Sequence, residues 1–86
     1  MGTVKVRLFA RLAELAGTRS EDVEIGEGLR ACDVYRLLEE RHPQIAGLAD
    51  KVMYAVNQEY ASAEACLREG DELALIPPVS GGRDAV

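Results

Sequence analysis

The stretch Val4-Lys5-Val6-Arg7-Leu8-Phe9 decides how the rest of the chain is interpreted. Its first three apolar residues alternate with charged ones, and this period-two pattern predicts a β-strand with one buried face. Residues 10–16 have the apolar spacing of a two-turn helix, and Gly17 follows as a C-terminal stop. The chain therefore opens with a strand that leads directly into a short helix.

A second strand and a longer helix follow this opening. Asp22-Val23-Glu24-Ile25 alternates again, which predicts a strand that pairs back against the first. Residues 31–41 carry an apolar stripe at helical spacing, and Pro43 ends that helix. No Ser or Thr marks the start of the helix as a cap. Three more strands are predicted: residues 52–56, a short edge strand opened by Tyr60 after a turn at 57–59, and residues 72–76 after a tight turn at 69–71.

This order predicts an α+β fold in which one main helix crosses a mixed sheet. The first and last strands are expected to be central and parallel, because the helical connection carries the chain back across the sheet. That arrangement is a ubiquitin-like roll, the β-grasp fold. The predicted core includes Val6, Leu8, Ile25, Val34, Leu37, Leu38, Val56 and Leu75.

Composition excludes several classes of function. At 86 residues the chain is one small domain, and its net charge of −5 with scattered Lys and Arg argues against a nucleic-acid partner. No apolar run approaches the roughly 20 residues of a membrane span, and no signal-peptide pattern opens the chain, so we expect a cytoplasmic protein without a membrane partner. Cys32, Cys66 and His42 lack the spacing of a zinc site, so no metal is expected.

The segment Leu75–Gly82 combines a strand end with a stiff spacer and two glycines. Pro77 and Pro78 remove two backbone donors, so the strand must stop at Ile76 and the chain should leave in an extended direction. Residues 78–82 could reach about 17 Å at ~3.4 Å per residue. Such a tail could deliver its own carboxylate into the active site of another protein, although a frayed terminus with chance glycines is the alternative.

These residues resemble a known family, the small subunits of molybdopterin synthase, which are ubiquitin-like sulfur carriers of the MoaD/ThiS type. The resemblance spans residues 4–82, and three segments carry it: 4–17, 55–60 and 67–82. The Gly-Asp-Glu strand that runs into Pro-Pro-Val-Ser-Gly-Gly is its most specific part.

The resemblance implies a carrier role rather than an enzyme. Gly82 would be adenylated by a ubiquitin-activating-type adenylyltransferase that uses ATP and Mg²⁺, and a sulfur donor would then convert it to a thiocarboxylate. The large subunit of the synthase would supply the catalytic groups and pass the sulfur to cyclic pyranopterin monophosphate, while this chain binds no cofactor. The expected tail-threading residues are Pro77, Pro78, Val79, Ser80 and Gly81, and the expected partner-facing residues are Phe9, Tyr60 and Ile76.

One departure from the family pattern leaves alternatives open. Family members end at the second glycine, whereas Arg83-Asp84-Ala85-Val86 follows here, so residues 1–82 form the carrier domain and 83–86 an extension. The extension could be removed by a protease, could begin a fused domain, or could mark a degenerate member. The alternative functions are a related carrier or protein modifier for another pathway, such as tRNA thiolation or amino-acid sulfur transfer, and a ubiquitin-like interaction module without sulfur chemistry.

Overall fold

The computed structural model describes residues 2–48 and 51–77. The predictions for Pro78, Val79, Ser80, Gly81, Gly82 and the extension 83–86 lie outside the described residues. The elements follow in the order β1 (Gly2–Leu8), α1 (Ala10–Ala16), β2 (Ser20–Ile25), α2 (Ala31–Arg41), a 3-10 turn (Pro43–Ile45), β3 (Met53–Val56), β4 (Glu59–Ala61) and β5 (Glu72–Ile76). None of the helices in this part of the chain is long and apolar enough to span a membrane.

The five strands form one mixed sheet in the order β2-β1-β5-β3-β4. β1 and β5 are parallel, with Lys5 opposite Glu72 and Leu8 opposite Leu75. The pairs β1–β2, β3–β4 and β3–β5 are antiparallel. The first and last strands thus lie side by side inside the sheet, and the predicted β-grasp topology is confirmed.

The core lies between one face of the sheet and the helices. The strands contribute alternate residues to it, and α2 contributes Val34, Tyr35 and Leu38, all without solvent exposure. Leu37 and Val56, which were predicted in the core, are half-buried and pack against it. The other predicted core residues are buried: Val6, Leu8, Ile25, Val34, Leu38 and Leu75.

The backbone N–H groups at the start of α2 donate to carbonyl groups of a distant segment rather than to a Ser or Thr cap. The N–H of Ala31 donates to the carbonyl of Ala65 at 2.9 Å, and the N–H of Cys32 donates to the carbonyl of Ala63 at 2.8 Å. The N–H of Arg30 donates to Asp33 Oδ2 at 3.1 Å. Hydrogen bonds from the side chain and backbone of Arg30 lower the pKa of Asp33. The free N–H groups that open a helix therefore find partners without a conventional cap.

Candidate functional site

The sheet face that the helices leave open carries a groove of about 370 Å³. It crosses β1, β5, β3 and β4, and it begins where β5 ends. Its apolar lining consists of Phe9, Ala55, Tyr60, Ala74 and Ile76. The sequence-predicted partner-facing residues Phe9, Tyr60 and Ile76 therefore lie together on one surface.

Two alanines form the floor of this groove. Strand register places Ala74 of β5 between Arg7 of β1 and Ala55 of β3, and Ala55 lies opposite Tyr60 of β4. These four residues thus form one row across the sheet, with long side chains at both ends and methyl groups in the middle. The short side chains leave a trough between the long ones.

The walls of the groove are exposed apolar side chains. Tyr60 is 73% exposed and Phe9 is 41% exposed, while Ile76 is half-buried. Met53, which is 48% exposed, pairs with Ile76 across the two strands and extends the apolar surface beside the groove. Clustered exposed apolar side chains of this kind typically mark a surface that binds another protein.

Arg7 and Glu72 give the groove one charged side. Arg7 Nη1 lies 3.0 Å from Glu72 Oε2, and the two side chains come from the neighbouring parallel strands β1 and β5. The guanidinium carbon of Arg7 also lies 5.8 Å from the centre of the Phe9 ring. This distance is within the range of a cation–π contact, so Arg7 supports the Phe9 ring that forms one wall.

Asn57 fixes the hairpin that carries Tyr60. Asn57 and Gln58 both have positive φ, at 52° and 72°, as a two-residue hairpin turn of the mirror-image type requires. The Asn57 side chain donates to Asp71 Oδ1 at 3.0 Å and accepts from the N–H of Glu72 at 3.0 Å. One amide side chain thus joins the hairpin to the beginning of β5.

The tail begins at the rim of the groove. β5 ends at Ile76, as the double proline predicted, and Pro77 is half-buried just beyond it. A protein bound in the groove would therefore contact the base of the segment that carries Gly82.

Two thiols and scattered potential metal ligands lie outside the groove in the described part of the chain. Residues 2–48 and 51–77 contain no group of three or more His, Cys, Asp or Glu side chains that could hold a metal ion. The thiols of Cys32 and Cys66 are free, the first half-buried and the second exposed. Four residues of this surface were not predicted from the sequence: Arg7, Met53, Ala55 and Ala74. Their positions follow from strand register, which only a correct pairing of β1, β5 and β3 would have given.

Comparison with known proteins identifies the family. A model of the ThiS family matches residues 6–82. The human molybdopterin synthase sulfur carrier subunit is 39% identical over 82 residues, which cover 92% of this chain and 93% of the human protein. Small archaeal modifier protein 1 of Haloferax volcanii is 32% identical with a TM-score of 0.81, and the match covers 92% of this chain and 100% of that structure.

A third structure has the same fold in an assembly. It is a complex of subunits 1 and 2 of the molybdopterin-converting factor of Helicobacter pylori, with 21% identity, a TM-score of 0.65 and coverage of 93% and 99% of the two chains. At that identity the likeness shows the fold alone. The family match and the identity to the human protein rest on nearly the whole chain, and we conclude that the chain belongs to the ThiS family.

Proposed function

We propose that this chain is the sulfur carrier of molybdopterin synthase and delivers sulfur as a C-terminal thiocarboxylate on Gly82. The observation that carries the proposal is the family match, which begins within β1 and ends at Gly82, the second glycine of the tail. The human relative named for this role is 39% identical over 92% of the chain. The open groove at the base of the tail supports the same role.

The chemistry needs a free carboxylate at Gly82. A carboxylate is a poor electrophile, so the adenylyltransferase first activates it. The Gly82 carboxylate would attack the α-phosphorus of ATP, forming an acyl-adenylate and releasing pyrophosphate, with Mg²⁺ held by that partner enzyme. A sulfide-level donor then attacks the acyl carbon and AMP leaves, so that one carboxylate oxygen is replaced by sulfur. If the donor is a persulfide, this attack gives an acyl disulfide, and a second thiol must reduce its S–S bond to release the thiocarboxylate. The carrier contributes the position of this sulfur rather than an acid, a base or a bound cofactor.

The partners supply the rest of the reaction. The adenylyltransferase and the large synthase subunit use the groove of Phe9, Tyr60 and Ile76 in turn, and each takes the segment from Pro77 to Gly81 into its own active site. The large subunit provides the catalytic groups and passes the sulfur to cyclic pyranopterin monophosphate. The protein works in the cytoplasm, where its ATP-dependent partner has its substrate.

Residues 83–86 must leave before the reaction. With Arg83 attached, the Gly82 carbonyl is in a peptide bond and cannot be adenylated. We therefore propose that a protease cleaves between Gly82 and Arg83. The family match agrees with this cleavage site, because residues 83–86 lie outside it.

Intact-protein mass spectrometry tests the proposal on material purified from cells that make the cofactor. The expected spectrum shows loss of Arg83 to Val86 and, in a fraction of the molecules, one oxygen replaced by sulfur. The matched control comes from cells that lack the adenylyltransferase, where the processed form should persist without sulfur. If every molecule kept Val86 and none carried sulfur, the carrier function would be wrong for this chain.

A second candidate is a modifier that is attached to other proteins through Gly82. The likeness to the archaeal modifier protein, at 32% identity and a TM-score of 0.81, favours it. In that case the same cells should contain conjugates in which Gly82 is joined to a lysine of another protein. Mass spectrometry of tryptic branched peptides distinguishes the two candidates.

A further inference from the structure

A second cleft shares the Arg7 and Phe9 side chains with the groove. It encloses about 430 Å³ between the end of β1 and the helix α1, and its lining includes Arg7, Phe9, Ala13 and Arg19. Arg7 and Phe9 also line the apolar groove on the open sheet face. These two side chains therefore line both depressions, and a protein seated on the groove would lie next to the cleft.

Arg19 gives the second cleft a cation without a partner. Among the described residues, the Arg19 side chain makes no ion pair or hydrogen bond, and it is exposed. The other charges around the cleft are already matched: Arg7 lies 3.0 Å from Glu72, and Glu14, which also lines the cleft, lies 3.9 Å from Arg11. The cleft therefore carries one uncompensated positive charge on a protein whose net charge is −5.

We propose that this cleft receives one Asp or Glu side chain of the large synthase subunit, paired with Arg19, when that subunit docks on the groove. The inference rests on the proposed function for the identity of the partner. A single carboxylate matches a single free guanidinium, which can bind it through two parallel hydrogen bonds. A phosphate dianion fits less well, because Arg19 is the one uncompensated cation among the described residues of the cleft and would leave the second phosphate charge unmatched.

The proposal also accounts for how an acidic carrier recognises an acidic group. With fifteen Asp and Glu against ten Lys and Arg, most of this surface repels a carboxylate. An acidic side chain is attracted only where a cation is unmatched. A charge of this kind at the rim of an interface mainly sets the association rate and its dependence on salt.

The test measures binding of the purified large subunit to the full chain and to the chain that ends at Gly82, by calorimetry and by stopped-flow association. Arg19→Glu should weaken binding about tenfold and flatten the salt dependence, whereas Arg19→Lys should stay within about threefold of the original, as expected for a partly exposed ion pair. Arg36→Glu is the matched control, because it changes the net charge equally on an exposed position of α2, the helix on the opposite face. Circular dichroism verifies that all variants fold.

The outcomes separate this inference from the proposed function. If Arg19→Glu and Arg36→Glu change binding equally while Tyr60→Ala weakens it by more than Tyr60→Phe does, the large subunit docks on the groove but the acidic contact is wrong. If Arg19→Glu changes the binding of the full chain but not of the chain that ends at Gly82, the cleft binds an acidic group of the extension and the proposal fails. If the unmodified chain does not bind the large subunit in either form, the proposed partner is wrong and this inference falls with it.

Discussion

Tyr35 is a polar group enclosed by the core. Its side chain has no solvent exposure, and its hydroxyl donates to the carbonyl of Ile45 at 2.7 Å. Tyr35→Phe should lower the free energy of unfolding by about 1 kcal/mol, because a single net hydrogen bond is lost. The loss stays small because the N–H of Leu48 still donates to the same carbonyl at 3.4 Å. Urea denaturation of the two proteins measures the difference.

Tyr35 should also limit stability in alkali. Burial raises the pKa of Tyr35 to about 12, above its ordinary value of 10.0. The unfolded chain therefore loses this proton first, so the contribution of Tyr35 is complete below pH 10 and is lost as the pH rises toward 12. Tyr35→Phe should lack this part of the pH dependence. Equal alkaline slopes for the two proteins would contradict the assignment.

Tyr60 should contribute to binding and little to stability, because most of its side chain is exposed. Tyr60→Ala should weaken binding of the large subunit by more than about 1 kcal/mol, as truncation of a central aromatic anchor typically does. Tyr60→Phe keeps the ring and is the control. Calorimetry and thermal denaturation give the two quantities. Unchanged affinity and stability in Tyr60→Ala would exclude the groove as the docking surface.

Asn57 should tolerate removal of its side chain better than conversion to an acid. Asn57→Asp places a carboxylate beside Asp71, whose pKa is already lowered by hydrogen bonds from the Arg68 backbone and from Asn57. We expect a loss of about 1–2 kcal/mol, with partial recovery below pH 4 as the carboxylates become protonated. Asn57→Gly keeps the positive φ and isolates the side-chain bonds. If Asn57→Asp were as stable as Asn57→Gly at pH 7, the like-charge repulsion would be refuted.

The residues that form the groove were harder to predict from the sequence than the strands and helices that carry them. Phe9, Tyr60 and Ile76 stand out as apolar residues next to turns or prolines, whereas Ala55 and Ala74 look like ordinary strand residues. Their role as a floor depends on the residues that register places beside them. Arg7 was indistinguishable from any charged residue on an exposed strand face until Glu72 and Phe9 were placed against it.

At the scale of elements, α2 holds the core together. Leu38 has no solvent exposure and lies among the buried side chains of the sheet and helices. Leu38→Ala should lower the free energy of unfolding by about 2–5 kcal/mol, because it combines lost burial with a cavity. Chemical denaturation checks the value, and Leu37→Ala, at a half-buried position of the same helix, should cost less. A larger loss for Leu37→Ala would show that the apolar stripe of α2 is oriented differently.

Elements were largely predictable because their signals are local. α1 and α2 have the predicted bounds, and Gly17 ends α1 with a φ of 78°. The 3-10 turn Pro43–Ile45 was missed, since Pro43 alone indicated only that a helix had ended. No Ser or Thr in the sequence marks the start of α2 as a cap. Its N–H groups are satisfied by the carbonyls of Ala63 and Ala65, which come more than thirty positions later in the chain.

At the scale of the whole molecule, the buried core is separate in sequence from the segment that we propose carries the sulfur. Among the described residues the buried core lies within 4–75, and Gly81 and Gly82 come after β5 in the sequence. Gly81→Ala should therefore leave the unfolding transition unchanged. It should impair both sulfur loading and sulfur transfer, because a β-carbon would meet the walls of the channel through which each partner enzyme takes the tail. Intact mass and single-turnover transfer to the large subunit measure the two effects. Normal loading of Gly81→Ala would contradict a threading role.

The position of β5 has a consequence for synthesis on the ribosome. Among the five strands of the described residues, β5 is the last to be made, yet it lies between β1 and β3. Before it emerges, β1–β2 and β3–β4 are separate pairs, and the alanine floor of the groove does not exist. A nascent or truncated chain that lacks β5 thus offers its partners no complete binding surface. The arrangement acts as a check on length, since a partner can recognise only a chain that has been translated as far as the start of its tail.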